Sequence, residues 1–132
     1  MKYRTRLLLP VLALAACLGT GARAQTNPPA PPDAPFVLIA NFEISPGREE
    51  QFRMRALAFA RMAEEQVPGV IYKLHVSASS PGRFVFYEYF PNKAAYERVQ
   101  QDVTAQHRAV HGPTPQGMFA RPPAEERWTR LN

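Results

Sequence analysis

Two runs of apolar residues at the centre of the chain predict a pair of neighbouring strands. Residues 70–77 and 83–90 are rich in β-branched and aromatic side chains, and the turn sequence Ser-Ser-Pro-Gly lies between them. Such side chains fill a pleated surface well, and Pro-Gly is a strong signal of chain reversal. The second run is apolar or aromatic on both faces apart from Glu88, a pattern typical of a buried central strand.

Patterns on either side of this hairpin predict the remaining elements. Residues 36–44 alternate as a first strand, and residues 48–66 repeat apolar side chains at steps of three and four, as an amphipathic helix does. A second helix is predicted over residues 93–111, and a last strand over residues 126–131. Residues 114–124 contain three prolines and predict a loop that crosses the surface.

The order of these elements is β-α-β-β-α-β, which indicates an α+β fold, the ferredoxin-like sandwich with an antiparallel sheet. Both helices would cover one face of the sheet, so the other face would be left bare and unusually aromatic. An apolar face of this kind needs a cover. The sequence therefore predicts a homodimer, a dimeric α+β barrel in which two sheets face each other around a cavity.

The N-terminus carries an export signal. Residues 1–24 begin with three basic residues and end in Ala-Arg-Ala before Gln25. The apolar run between them is shorter than the roughly 20 residues that span a bilayer. This pattern predicts a secretory signal peptide and a periplasmic or secreted protein. A second interpretation stays open, because Leu14-Ala15-Ala16-Cys17 resembles the lipobox of bacterial lipoproteins, and a lipidated Cys17 would anchor the protein to the membrane.

The rest of the chain divides into a linker and one domain. Residues 25–35 include five prolines and predict an extended linker; residues 36–132 form the predicted domain. Cleavage before Gln25 removes four of the 16 Lys and Arg residues and none of the 11 acidic residues, so a net charge of +5 becomes +1. A nearly neutral domain is a poor nucleic-acid binder. Cys17 is the single cysteine, so the mature domain can form no internal disulfide.

An ordered set of short motifs runs through about residues 36–111. The motifs are Pro46-Gly47, Pro68-Gly69-Val70, Tyr72-x-Leu74-His75, Pro81-x-x-Phe84-Val85-x-Tyr87-Glu88 and Lys93-Ala94-Ala95-Tyr96. Together they resemble the antibiotic-biosynthesis-monooxygenase domain, a family of small dimeric α+β barrels. The resemblance implies oxidation of a quinol or another hydroxylated aromatic by O2, without a cofactor.

The second helix departs from the family pattern. Members commonly carry a His soon after the Ala-Ala-aromatic segment and another His further along, and the corresponding positions here are Val99 and Thr104. His107 and His111 come later, as if the helix were shifted or lengthened. This departure keeps open a second function, a non-catalytic dimer that binds a small ligand. A haem-binding or haem-degrading relative is a third interpretation, although the helix Trp of those enzymes is missing and Trp128 lies in the tail.

Three residues are candidates for catalysis. Glu88 is a lone carboxyl group in an apolar strand. If it faces the cavity between the two sheets of the dimer, on the helix-free side, its pKa would rise and it could take a proton from a phenol. Its alternative role is an ion pair or hydrogen bond within the dimer interface. His75 and His107 are the other candidate bases, each with an ordinary structural explanation at a half-exposed strand position or a helix end.

Three further residues are candidates for substrate binding. Asn41 is expected on the same strand face as Val37 and Ile39, where its amide could orient a substrate oxygen or make a cross-strand hydrogen bond. Tyr72 and Phe86 belong to a dense set of aromatic strand residues that favours a flat, apolar ligand.

One pair of residues raises the question of a metal site. His107 and His111 are four residues apart and would share a helix face, but two His side chains alone do not complete a metal site. We therefore predict no metal.

Overall fold

The computed structural model describes residues 33–129. The predicted signal peptide, Cys17 and most of the Pro-rich segment lie outside these residues. The strands are β1 (Phe36–Glu43), β2 (Ile71–Val76), β3 (Arg83–Phe90) and β4 (Ala124–Thr129), and the helices are α1 (Glu49–Gln66), α2 (Lys93–Arg98) and α3 (Thr104–His111).

The four strands form one sheet in the order β2-β3-β1-β4, and each neighbouring pair is antiparallel. This is the predicted ferredoxin-like topology. β3 has its predicted bounds, whereas β2 is one residue shorter at each end than predicted. β4 begins two residues earlier than predicted, because its ladder with β1 extends to the pair Asn41 and Ala124.

The two-residue period of the strands sorts their side chains onto two faces of the sheet. The helices cover one face, where the buried strand residues include Phe36, Leu38 and Ala40 of β1 and Phe84 and Phe90 of β3. Aromatic rings dominate this core: Phe36 and Phe90 stack with ring centroids 5.3 Å apart. The core therefore lies between the sheet and the helices.

The second predicted helix, over residues 93–111, is interrupted by a π-helical turn. Val99–Val103 form this turn between α2 and α3. The Thr104 hydroxyl donates to the Val99 carbonyl at 3.1 Å, five residues earlier, and so satisfies a backbone acceptor in the widened turn. A π-turn adds a residue to the helical path and rotates the side chains that follow it. The π-turn is therefore the irregularity in this helix that corresponds to the shift indicated by the sequence.

The segment between α3 and β4 is attached to the sheet rather than lying loosely across the surface. Met118 is 2% exposed, its carbonyl accepts from the Ser45 amide at 2.9 Å, and the Ala120 amide donates to the Glu43 carbonyl at 2.8 Å. The Arg55 guanidinium donates to the carbonyls of Gly112 at 2.8 Å and of His111 at the end of α3. These bonds bring the loop over one end of the helix-covered face.

The helix-free face of the sheet carries an apolar patch that is accessible in the single chain. Trp128 is 59% exposed and Tyr87 is 37% exposed, and Val37, Ile39 and Tyr89 lie beside them on the same face. No helix within residues 33–129 combines the length and apolar character needed to cross a membrane.

Candidate active site

A cavity of about 230 Å³ lies between the helices and the sheet. Strands, helices and the loop before β4 contribute to its wall, and most of the lining side chains are aromatic or polar. The lining residues include Phe42, Phe52, Arg55, Phe59, Tyr72, Phe86, Glu88, Gln100, Thr104, His107, Phe119 and Glu125.

Helix α1 supplies one wall of this cavity, because four of its lining residues recur at helical spacing. Phe52, Arg55, Ala56 and Phe59 are separated by three, one and three residues, which places them on one face of the helix. Phe52 packs against the ring of Phe42 on β1, with ring centroids 5.1 Å apart. The apolar stripe that holds α1 on the sheet therefore also lines the cavity.

Glu88 is the buried carboxyl group of this site. It is 8% exposed and lies opposite Tyr72 in the β2–β3 ladder, with Leu38 opposite it on β1. Burial raises the pKa of Glu88 to about 7, although a hydrogen bond from the Tyr72 hydroxyl opposes that rise. The pKa of Tyr72 is raised far above its usual range by burial and by the Glu88 charge. Tyr72 therefore donates the hydrogen bond, and a pKa of about 7 allows Glu88 to gain or lose a proton near neutral pH.

Glu125 on β4 brings a second carboxyl group to the cavity. Glu125 pairs with Ala40 of β1, and Ala40 pairs on its other side with Phe86 of β3. These three side chains share the helix-covered face, so Glu125 lies on the same face as Glu88, with β1 between the two strands. Its charge contributes to the raised pKa of Glu88. The sequence gives no signal for this residue, because Glu125 and Glu126 look like an ordinary charged surface pair until the register with β1 is known.

His107 reaches the cavity from α3. Its Nε2 lies 3.1 Å from the Arg55 carbonyl oxygen, and its ring packs edge-on against Phe59. A carbonyl can only accept, so Nε2 must carry the hydrogen, and in the neutral ring Nδ1 is the acceptor. Burial, with a smaller effect of His111, lowers the pKa of His107. The neutral ring with a free Nδ1 is thus the favoured form at neutral pH.

The structure brings four of the six predicted site residues together. Glu88, Tyr72, Phe86 and His107 line the cavity described above.

The other two predicted residues lie elsewhere. Asn41 and His75 face the opposite side of the sheet, where they line a separate cavity of about 460 Å³ with Glu43, Arg83 and Arg121. Asn41 does share a face with Val37 and Ile39, as its alternation predicts. The expectation that Glu88 faces the helix-free side is wrong, because the β3 register places it under the helices with Phe86 and Phe90.

Comparison with known proteins identifies the family. The sequence profile described as antibiotic biosynthesis monooxygenase matches residues 35–112. This chain belongs to the antibiotic biosynthesis monooxygenase family. No curated protein sequence matches the chain.

Solved structures share the fold of this family member. A candidate antibiotic biosynthesis monooxygenase from Caulobacter crescentus has a TM-score of 0.64 at 19% identity, over 76% of this chain and 93% of its own. A Pseudomonas aeruginosa protein has a TM-score of 0.63 at 21% identity, over 77% and 99%. A candidate family monooxygenase from Nitrosomonas europaea has a TM-score of 0.61 at 18% identity, over 75% and 92%.

The two helix positions at which family members commonly carry His have different surroundings in this structure. Val99 is fully buried in the π-turn, whereas Thr104 lines the cavity between Gln100 and His107. His107 therefore faces the same cavity as Thr104, about one helical turn further along. Within residues 33–129, no three His, Cys, Asp or Glu side chains are grouped so that they could hold a metal ion.

The raised pKa of Glu88 predicts a specific pH dependence of stability. Its folded-state pKa of about 7 lies above the usual 4.5, so the fold favours the protonated form. The contribution of Glu88 to the free energy of unfolding is fully present below pH 4.5 and is lost as pH rises through 7. The loss is about 3 kcal/mol at most. Denaturant unfolding of wild type and Glu88→Gln from pH 4.5 to 8 measures the effect. Relative to the variant, wild type should lose stability over this window; parallel curves would contradict a buried, proton-exchanging Glu88.

Proposed function

We propose that this family member is a cofactor-independent monooxygenase-like enzyme that oxidises a quinol or another hydroxylated aromatic with O2. The observation that carries the proposal is the position of Glu88, a buried carboxyl group with a pKa of about 7 in the wall of an aromatic cavity. A general base is most effective when its pKa lies near the working pH.

The proposed chemistry needs one proton acceptor and a dry, flat binding site. Glu88 accepts the phenolic proton while Tyr72 holds its carboxylate in place. The resulting quinolate anion is electron-rich and transfers electrons to O2. One oxygen atom is incorporated to give a hydroxyquinone, and the other leaves as water with the protons lost by the quinol. Nδ1 of His107 is a second acceptor for these protons.

The size of the cavity favours a small substrate. Its volume of about 230 Å³ is below the roughly 300–1,000 Å³ of pockets for drug-sized ligands. A single aromatic ring between Phe42, Phe52, Phe59 and Phe86 suits this space. The haem interpretation is weakened on the same ground, since a tetrapyrrole is much larger than one ring.

A second candidate function is ligand binding without turnover. Val99 supports it, because the position at which family members commonly carry His holds a fully buried aliphatic side chain. The two functions differ in one measurable respect: a binding protein would retain an aromatic diol but consume no oxygen.

Oxygen uptake with a panel of hydroquinones tests the enzymatic proposal. Wild type should consume O2, and Glu88→Gln should lose roughly a hundredfold or more in rate, since a positioned acid or base typically contributes that much. Glu65→Gln, an exposed change on α1, is the matched control and should keep the wild-type rate. Full activity of Glu88→Gln would rule out the proposed base, and diol binding without any uptake would favour the second function.

We also propose that the helix-free face pairs with a second copy of the chain. Trp128, Tyr87, Ile39 and Val37 form an apolar surface on that face, and contiguous patches of this kind mark interfaces. The two copies would bury their sheets against each other and leave both helix-side cavities outside the interface.

Sedimentation analysis tests the homodimer. Wild type should sediment as a dimer, and Trp128→Lys should shift it toward the monomer by placing a charge in the apolar interface. Val110→Lys adds the same charge at an exposed apolar position on α3 and should remain dimeric. A wild-type monomer, or equal behaviour of the two variants, would exclude this interface.

We further propose that the protein is exported and matures at Gln25. Intact mass measurement of the exported protein should give a chain that begins at Gln25, and Cys17→Ser should not change that mass. A chain that begins at a lipid-modified Cys17 would instead establish the membrane-anchored form.

A further inference from the structure

We propose that Glu125 makes the helix-side cavity selective by charge, so that it accepts neutral or cationic aromatic diols and rejects aromatic carboxylates. The inference rests on the proposed function, because it assumes that a hydroxylated aromatic binds beside Glu88. It adds the class of ring substituent that the site tolerates.

The charged groups that line the cavity are unequally distributed. Two carboxyl groups, Glu88 and Glu125, belong to the sheet wall. Within residues 33–129, Arg55 is the one Arg in the cavity wall, and its guanidinium donates to the carbonyls of His111, Gly112 and Pro113. His111 is the last residue of α3 and Gly112 follows it, so the Arg55 charge lies at the negative end of the α3 dipole. The lowered pKa of His107 favours its neutral ring. The cavity wall thus places two carboxyl groups against one guanidinium whose N–H groups are directed to backbone carbonyls, so a bound anion gains less there than a neutral or cationic group does.

The strand register directs the Glu125 charge toward the site. Glu125 is exposed on the edge strand, but it shares the helix-covered face with Ala40 and lines the same cavity as Glu88. Its neighbour Glu126 faces the opposite side of the sheet, beside Trp128 and Ile39. Glu125 thus lies in the wall of the cavity, whereas Glu126 lies on the helix-free face.

The charge of Glu125 affects the pKa values of two other groups in the cavity wall. Its charge contributes to the raised pKa values of both Glu88 and Tyr72, which lie on β3 and β2. A field that reaches these buried side chains also reaches a ligand placed between them. An anionic substituent on that ligand would be repelled, whereas an ammonium group would be attracted.

Three ligands of nearly equal size test this selectivity. Gentisate, its amide gentisamide and the corresponding aminomethyl hydroquinone share one para-diol ring and differ mainly in the charge of the substituent. Their dissociation constants are measured by calorimetry without oxygen, so that no turnover occurs. Wild type should bind gentisamide and the amine more tightly than gentisate.

Two variants assign the effect to one residue. Glu125→Gln should reduce the preference for gentisamide over gentisate by roughly threefold to tenfold, the scale expected for an exposed charge acting over several ångströms. Glu126→Gln removes the same charge from the next position and should leave the preference unchanged. High salt should also reduce the wild-type preference, because exposed charges are screened; a purely steric preference would not respond.

The outcomes separate the two proposals. Equal binding of all three ligands to wild type, or a preference that Glu125→Gln leaves intact, overturns the role of Glu125 while the proposed function stands. The role of Glu125 is also overturned if Glu126→Gln reduces the preference as much as Glu125→Gln does. If wild type binds none of the diols, the proposed function fails and the inference about Glu125 fails with it.

Discussion

The two-residue period of β3 is the constraint on which the rest of this structure depends. It places Phe84, Phe86, Glu88 and Phe90 under the helices and turns Tyr87 and Tyr89 to the bare face. A shift of one residue would exchange these sets, exposing the phenylalanines and burying the tyrosines. The register with β1, which runs from Phe36 and Phe90 to Glu43 and Arg83, prevents that exchange. The carboxyl group and its aromatic surroundings are therefore set by the same pairing that builds the core.

Burial of a carboxyl group in such a core has a cost that the fold reduces in two ways. The Tyr72 hydroxyl donates to Glu88 from the neighbouring strand, and protonation removes the charge as pH falls. A Phe or Leu at this position would fit the apolar strand better. A pKa of about 7 at this position fits the proton transfer that we propose, since a general base is most effective when its pKa lies near the working pH.

The helices complete the cavity by different means. Helix α1 does so by regular spacing, because residues on its buried stripe also face the cavity. In the second helix, Val99 and Val103 of the π-turn are fully buried, and Thr104 and His107 after the turn line the cavity. The loop after α3 is attached through Met118 and Arg55 and brings Phe119 into the wall. The site is thus assembled from elements far apart in the chain.

Local pattern was sufficient for much of the architecture. Composition and periodicity predicted the element order, the bounds of β3 and the extent of the second helix, because turn residues and apolar spacing act within a few residues. The lone acid in β3 singled out Glu88 for the same reason, and the density of aromatic residues pointed to Tyr72 and Phe86. None of these inferences required knowledge of what lies across the sheet.

Long-range pairing decided the rest. Which face of β3 lies under the helices depends on packing between distant elements, such as the Phe84 ring against Phe52 of α1. Local alternation cannot decide this, and the expected position of Glu88 in the dimer cavity was wrong. Glu125 becomes part of the site only through its pairing with Ala40, and Asn41 and His75 are separated from it by the thickness of the sheet. The sequence by itself singled out candidate residues such as Glu88, because a lone acid in an apolar strand is a local feature. The tertiary structure decided which candidates share a cavity, because that depends on register between distant strands.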